Sequence, residues 1–307
     1  MSDTRERAVR TGEILELLGL PRTAGGCDRI IQGPASMFEA GPEDLAFCKA
    51  TGRETLSLIE RSRAGLLLVD RSVPDIESVS SGGRVVAMEN PRLGFIRCLN
   101  AFFIRQAEWG VHPTAILGRE VRVAARVSVG PLAIVGDGAV LGDGVVLGAR
   151  TFVGEGTVLG REVFVQAGAV IGCDGQGFER NETGKLEKFP QMGRLVLGDY
   201  VEIGANSTIV RGALKGLDTV IGEGSKIGHL VDIGKNARIG EHCLISAGVV
   251  ICGSVRIGDY AWLAPGCTIR QKVKIGRGAT VGLGAVVVRD VVDGITVAGV
   301  PAKPVDK

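Results

Sequence analysis

Over most of this chain the hydrophobic residues neither fall at the 3.6-residue spacing of a helix nor alternate as in an ordinary strand; they recur every six positions. From Leu117 the aliphatic series runs Val123, Val129, Val135, Leu141, Leu147, Val153, Leu159, Val165 and Ile171. It resumes as Leu197, Ile203 and Ile209, then continues from Ile221 in steps of six to Val287. Glycine follows most of the first series directly, as in LGREVR, VGDGAV and LGDGVV. Six residues make a short strand plus a turn, and three such units make one coil of a triangular prism, roughly 18 residues, with the aliphatic residue pointing inward. The small residue after it is expected to permit the tight turn. Stacked at the ordinary strand spacing of about 4.8 Å, roughly eight coils give a prism about 40 Å long. The period thus predicts a mainly β chain wound as a parallel β-helix. It does not set the handedness, since parallel crossovers are usually right-handed.

Two stretches leave the period. Residues 172–194, GCDGQGFERNETGKLEKFPQMGR, are polar and are expected to loop out of the prism; a shorter excursion covers VRGALKGL, 210–217. Insertions in a solenoid project from one face and often build its binding site. Residues 1–108 lack the repeat. They show a helical start at TGEILELLG (11–19), a turn at AGPEDL, an apolar strand AGLLLVD and a helical NPRLGFIRCLNAFF, which reads as a small α+β domain ahead of a β-helix domain over 109–307.

Composition narrows the function. Glycine is 47 of 307 residues and aromatics only 4%, against a usual glycine share of roughly 7%, as a turn-rich prism with a narrow aliphatic core requires. Lys plus Arg is 36 and Asp plus Glu 34, so no bulk charge draws nucleic acid or an anionic membrane. The 7 cysteines show no CxxC pair, which points to reduced thiols in the cytoplasm and away from a disulfide frame or zinc site. No signal peptide and no transmembrane segment is expected. The histidines, 112, 229 and 242, are spaced wrongly for the zinc set of a γ-type carbonic anhydrase, which also uses such a prism, so no metal is expected.

In chain order the motifs ASMFEAGPEDLAF (35–47), ENPRLGF (89–95), VHPTAILG (111–118), DGQGF with KFPQMGR in the inserted loop, and VEIGANSTIVRGAL (201–214) resemble the bacterial UDP-3-O-acylglucosamine N-acyltransferases of lipid A biosynthesis. The likeness covers about residues 10–304. It implies a left-handed β-helix and a homotrimer with active sites between neighbouring prisms. It also implies a front domain that grips uridine, and transfer of an acyl group from a thioester (acyl-CoA or acyl carrier protein) to the amine of a UDP-linked amino sugar, with no tightly bound cofactor.

Residue by residue, the resemblance puts Phe47 where the family stacks an aromatic on uracil and Arg53 where it has tyrosine. Asp174, Phe178 and Gln191 of the inserted loop become substrate-binding residues. The family's histidine base falls on Lys235 within IGEGSKIGHLVDIGKNARIG (221–240), His229 lies one hexad earlier, a second family histidine aligns with Lys272, and the oxyanion glycine with Gly253. His229 and Lys235 occupy equivalent positions on adjacent prism faces, so in a trimer His229 would meet a neighbour's Lys235. His229 is therefore the expected base, ahead of Lys235. His112 is expected to serve a turn and His242 a solvated face. The family's C-terminal helical extension is not seen after VAGVPAKPVDK, which favours acyl-CoA, with Arg270, Lys272 and Lys303 meeting its phosphates. Two other functions remain open: a short-chain acetyl-CoA-dependent nucleotide-amino-sugar N-acetyltransferase, and a non-catalytic nucleotide-sugar-binding homologue.

Overall fold

The computed structural model describes residues 8–21, 28–52, 54–80, 83–104 and 107–305. The chain divides into two compact units, Met1–Gln106 and Ala107–Lys307. The first holds a four-stranded parallel sheet in the order Gly33–Pro34, Asp44–Cys48, Leu66–Asp70, Val85–Met88. Its strand Leu66–Asp70 is buried on both faces: Leu66 and Leu68 pack with Ile14, Leu15 and Leu45, Leu67 and Val69 with Ala46 and Ile59. That double burial is why LLLV reads as a continuous apolar run. Asn90 starts the helix Pro91–Cys98 by accepting a hydrogen bond from Leu93 N at 3.0 Å, and Pro91 suits the first turn, where no intrahelical N–H is needed. The helix runs on as a π-helical turn, Leu99–Phe103.

The second unit is a three-faced parallel β-helix. Its first face has 11 strands from Gly110–Val111 onward, closing with Lys303–Pro304, the one antiparallel neighbour; its second has 9, from Ile116–Leu117 to Val286–Val287; its third has 8, from Arg122–Val123 to Lys274–Ile275. Most strands are two residues long, the first pointing out and the second in, as in exposed Ile134 beside buried Val135. The inward residues form one continuous core through the prism. Among the described residues no helix is long and apolar enough to cross a membrane.

The structure corrects the role of the glycine that follows most inward residues. It clears space between coils. A Cβ added at Gly154 would lie 2.0 Å from the Gly172 carbonyl oxygen, and one at Gly204 2.4 Å from the Gly228 carbonyl. The left-handed turn residue comes two positions later: Gly138 at φ 65°, Gly144 at φ 77°, but also Glu120 at 56°, Asn236 at 61° and His242 at 52°.

At several corners the residue between those two is tied to the next coil. Asp137 Oδ1 accepts from Arg119 N at 2.9 Å, Asp199 Oδ1 from Arg161 N at 2.7 Å, Asp259 Oδ1 from Glu241 N at 3.0 Å and Asp293 Oδ1 from Arg277 N at 2.8 Å. Asp137 and Asp199 also pair with the guanidinium of the arginine they cap, both at 2.6 Å. The backbone amide, then the guanidinium, holds these two carboxyls below the usual 3.8.

The inserted loop leaves the prism at a bulge. Pairing of Val170–Cys173 with Thr208–Val210 shifts between Ile171 and Cys173, so Gly172, Cys173 and Val210, assigned to excursions from the sequence, remain in strands. Beyond the bulge the loop folds as an antiparallel hairpin, Phe178–Arg180 against Leu186–Lys188.

Gly154→Ala should lower unfolding stability by about 1–3 kcal/mol, the usual effect of overpacking, as read by chemical denaturation. The corner carboxylates have depressed folded pKa values, so their contribution is full above the ordinary 3.8 and is lost as pH falls below it. The melting temperature should therefore drop on acidification through that range. Asp137→Asn combined with Asp199→Asn should flatten the drop, and an unchanged slope would contradict the assignment.

Candidate active site

A groove of about 890 Å³ opens on the second unit where the inserted loop lies along the corners between the second and third faces. Lys235, Gly253 and Lys272 stack at one corner of successive coils: Ser254 N donates to Lys235 O at 2.9 Å and Lys272 N to Gly253 O at 3.1 Å. The expected oxyanion position, the basic position before it and the second basic position after it thus line one groove, and Asp174 and Phe178 reach it from the loop. Gly253 occupies the same place in its coil as Arg119 and Arg161 do in theirs. Here the next coil offers Gln271, and the Gly253 N–H has no hydrogen-bond acceptor among the described residues.

Several side chains do other work than the sequence suggests. Lys235 Nζ donates to the Gln176 carbonyl at 2.9 Å and lies 5.8 Å from the centre of the Phe189 ring. It bolts the loop to the coil. Gln191 is buried, donates to Gly175 O at 2.8 Å and accepts from Gly175 N at 3.0 Å. Its amide thus ties the two ends of the loop together as a latch. Asp174 is ion-paired with Lys188 at 2.6 Å. Arg270 directly follows the strand Thr268–Ile269 of the second face, near Lys272, whereas Lys303 stands at the end of the first face; the three do not form one cluster on a single face.

His229 departs furthest from expectation. It is absent from the groove lining within the chain, and its Nδ1 accepts a hydrogen bond from Ala205 N at 3.0 Å. Ala205 holds the corner position of its coil, so His229 does there what Asp137 and Asp199 do elsewhere. A ring nitrogen that accepts from an N–H carries no proton, which leaves the neutral ring's proton on Nε2. Held this way, the neutral ring presents a donor at its free end. The other histidines follow the sequence reading: His112 Nδ1 pairs with Thr114 Oγ1 at 2.9 Å in a turn, and exposed His242 stacks on Tyr260 at 5.5 Å. Among the described residues no group of three or more His, Cys, Asp or Glu comes together to hold a metal.

One residue escaped the sequence reading. Asp232, on the strand Asp232–Ile233, brings a carboxyl into the groove. The side chain is exposed, partial desolvation still pushes its pKa above the ordinary 3.8, and the carboxyl makes no hydrogen bond or ion pair among the described residues. A signal existed: the outward residues of the second face run Ile116, Ile134, Phe152, Val170, Thr208, Asp232, Val250, Thr268, Val286, and only Asp232 among them is charged.

In the first unit an apolar cavity of about 350 Å³ is lined by Met37, Phe38, Phe47, Lys49 and Leu58. Phe47 is held there by Phe95, ring centres 4.9 Å apart. Arg53 lies outside the described residues.

Removing the latch should free the loop without unwinding the prism. Gln191→Ala should speed proteolytic cleavage within 174–190 while leaving the melting temperature almost unchanged; equal resistance to protease would refute the latch.

The family model for bacterial transferase hexapeptide (six repeats) matches residues 218–253. A UDP-3-O-acylglucosamine N-acyltransferase from Coxiella burnetii is 30% identical over 246 residues, covering 73% of this chain and 70% of its own. Another, from Pseudomonas aeruginosa, is 36% identical over 244 residues, covering 73% and 67%. Among solved structures, a Francisella novicida UDP-N-acetylglucosamine acyltransferase superposes with a TM-score of 0.59 at 26% identity, over 64% of this chain and 70% of that one. LpxA from Acinetobacter baumannii superposes at 0.58 and 24% identity, over 64% and 73%, a likeness of fold alone. The prism is the left-handed parallel β-helix of these neighbours, and the chain belongs to the UDP-3-O-acylglucosamine N-acyltransferase family of hexapeptide-repeat acyltransferases.

Proposed function

We propose that this protein moves an acyl group from a thioester to the amine of a UDP-linked 3-O-acylglucosamine in lipid A biosynthesis, as its named relatives do. The observation that carries the reading is the uncapped Gly253 amide in the groove under the inserted loop. A tetrahedral intermediate needs a donor aimed at its developing oxyanion, and a free backbone N–H on a rigid coil supplies one without reorganisation. The thioester is already activated, so correct placement of the amine supplies much of the rest. The cavity at Phe47 suits the flat face of uracil, and Lys272 in the groove supplies a cation for donor phosphates. With its proton on Nε2, His229 serves as a coil cap.

A cytoplasmic homotrimer accompanies this reading. The second face outside Asp232 is uncharged in its outward positions, an arrangement a lone prism has no use for, and head-to-tail packing of three prisms closes into a ring.

Thioester consumption, measured for acetyl- to tetradecanoyl-CoA and acyl-carrier donors against several UDP- and dTDP-amino sugars, should show turnover with the UDP-3-O-acylated amine. Retained nucleotide binding with no turnover for any pair would refute the reaction. His229→Ala should cost less than about tenfold in kcat and lower the melting temperature. A fall of about 10²–10⁴-fold, the usual worth of a general base, at unaltered stability would restore the histidine as base. Sedimentation should give three times the 32.0 kDa chain mass; a monomer at micromolar concentration would contradict the ring.

A further inference from the structure

We propose that Asp232 receives the proton of the attacking amine. The inference rests on the acyl-transfer reading above. The position that carries the family's histidine base holds Lys235 here, which is committed to the Gln176 carbonyl and the Phe189 ring. His229 is committed to Ala205 through the nitrogen a base would need. Asp174 is committed to Lys188. Asp232 is the carboxylate left in the groove without a partner among the described residues, and it stands alone on an otherwise uncharged face. The side chain is exposed on that face and so open to an opposite charge, and the acceptor arrives as an ammonium.

Placement supports the role. Asp232 pairs in register with Val250, three residues before Gly253, and precedes Lys235, on which Gly253 stacks, by the same three residues. Three residues of extended chain span at most about 10 Å. A side chain reaching along the face therefore brings the carboxylate to an amine whose target carbonyl lies at the Gly253 N–H, directly or through one water. Desolvation also raises the carboxyl's pKa, which moves a base toward the working pH. The titratable or charged groups around it are Cys173 and Asp174 where the loop begins, Lys188 on the loop, Lys235, Cys252 and Lys272 on the coils.

The step balances simply. The sugar ammonium gives one proton to the carboxylate, and the freed nitrogen pair forms the N–C bond to the thioester carbonyl. The carbonyl π pair moves to oxygen, held by the Gly253 N–H. On collapse the C–S bond breaks, the sulfur leaves with the bonding pair and takes the second nitrogen proton as a thiol, and the Asp232 carboxylic acid returns its proton to solvent.

The test compares wild type, Asp232→Asn and Asp232→Glu with UDP-3-O-acylglucosamine and the best thioester donor across a pH series. Asp232→Asn should lower kcat about 10²–10⁴-fold near neutrality, with the melting temperature little changed. The deficit should shrink as rising pH deprotonates the amine in solution, and Asp232→Glu should recover part of the rate. Wild-type rates in Asp232→Asn throughout the series, or a deficit that is the same at every pH, would overturn the role of the carboxylate. Absence of turnover by the wild type itself would instead overturn the acyl-transfer reading, and this inference with it.

Discussion

Each coil of the prism sits on the one before it at the spacing of parallel strands, about 4.8 Å, and the corners are where that approach is tightest. After the inward residue, positions such as 154 and 204 have to be glycine, because a Cβ at Gly154 or Gly204 would overlap the backbone of the next coil. The following amide points toward that coil, and at several corners the coil provides it an acceptor. At Arg119, Arg161, Glu241 and Arg277 an aspartate supplies it, and at Ala205 a histidine ring does. Short strands of two residues bury little each, so the stack is stable because the core is continuous and the corners are tied.

The same constraint makes a site possible. Where the next coil supplies no acceptor, an amide remains on a rigid corner, as at Gly253, and a rigid unpaired donor is what an oxyanion requires. The inserted loop then turns an open corner into a groove. Its attachment is assembled from residues that sequence likeness assigned to chemistry: Gln191 grips Gly175, and Lys235 grips Gln176. The basic side chain at the family's base position has thus become part of the wall.

This exchange accounts for the uneven legibility of the chain. The period of six exposed the prism, its inward residues and the inserted loop, because inward positions in a repeating coil admit only aliphatic or small residues. Gly253 could be placed one coil along from Lys235 from their spacing of 18 residues, as coil length converts sequence distance into stacking. Asp232 was legible only as an odd charge in a neutral column, and that column exists only once the faces are aligned.

The sequence by itself determined the repeating fold, the strand Leu66–Asp70 with its neighbouring helix signals, the family, and the stacking of Gly253 on Lys235. Only the tertiary structure decided what those residues touch. Whether His229 is a base or a cap depends on the amide of Ala205, 24 residues away, and whether Lys235 is reactive or structural depends on a carbonyl 59 residues away in a loop outside the repeat. A periodic pattern records position around the prism axis; hydrogen bonds between coils and with inserted loops depend on side-chain direction, which no period encodes.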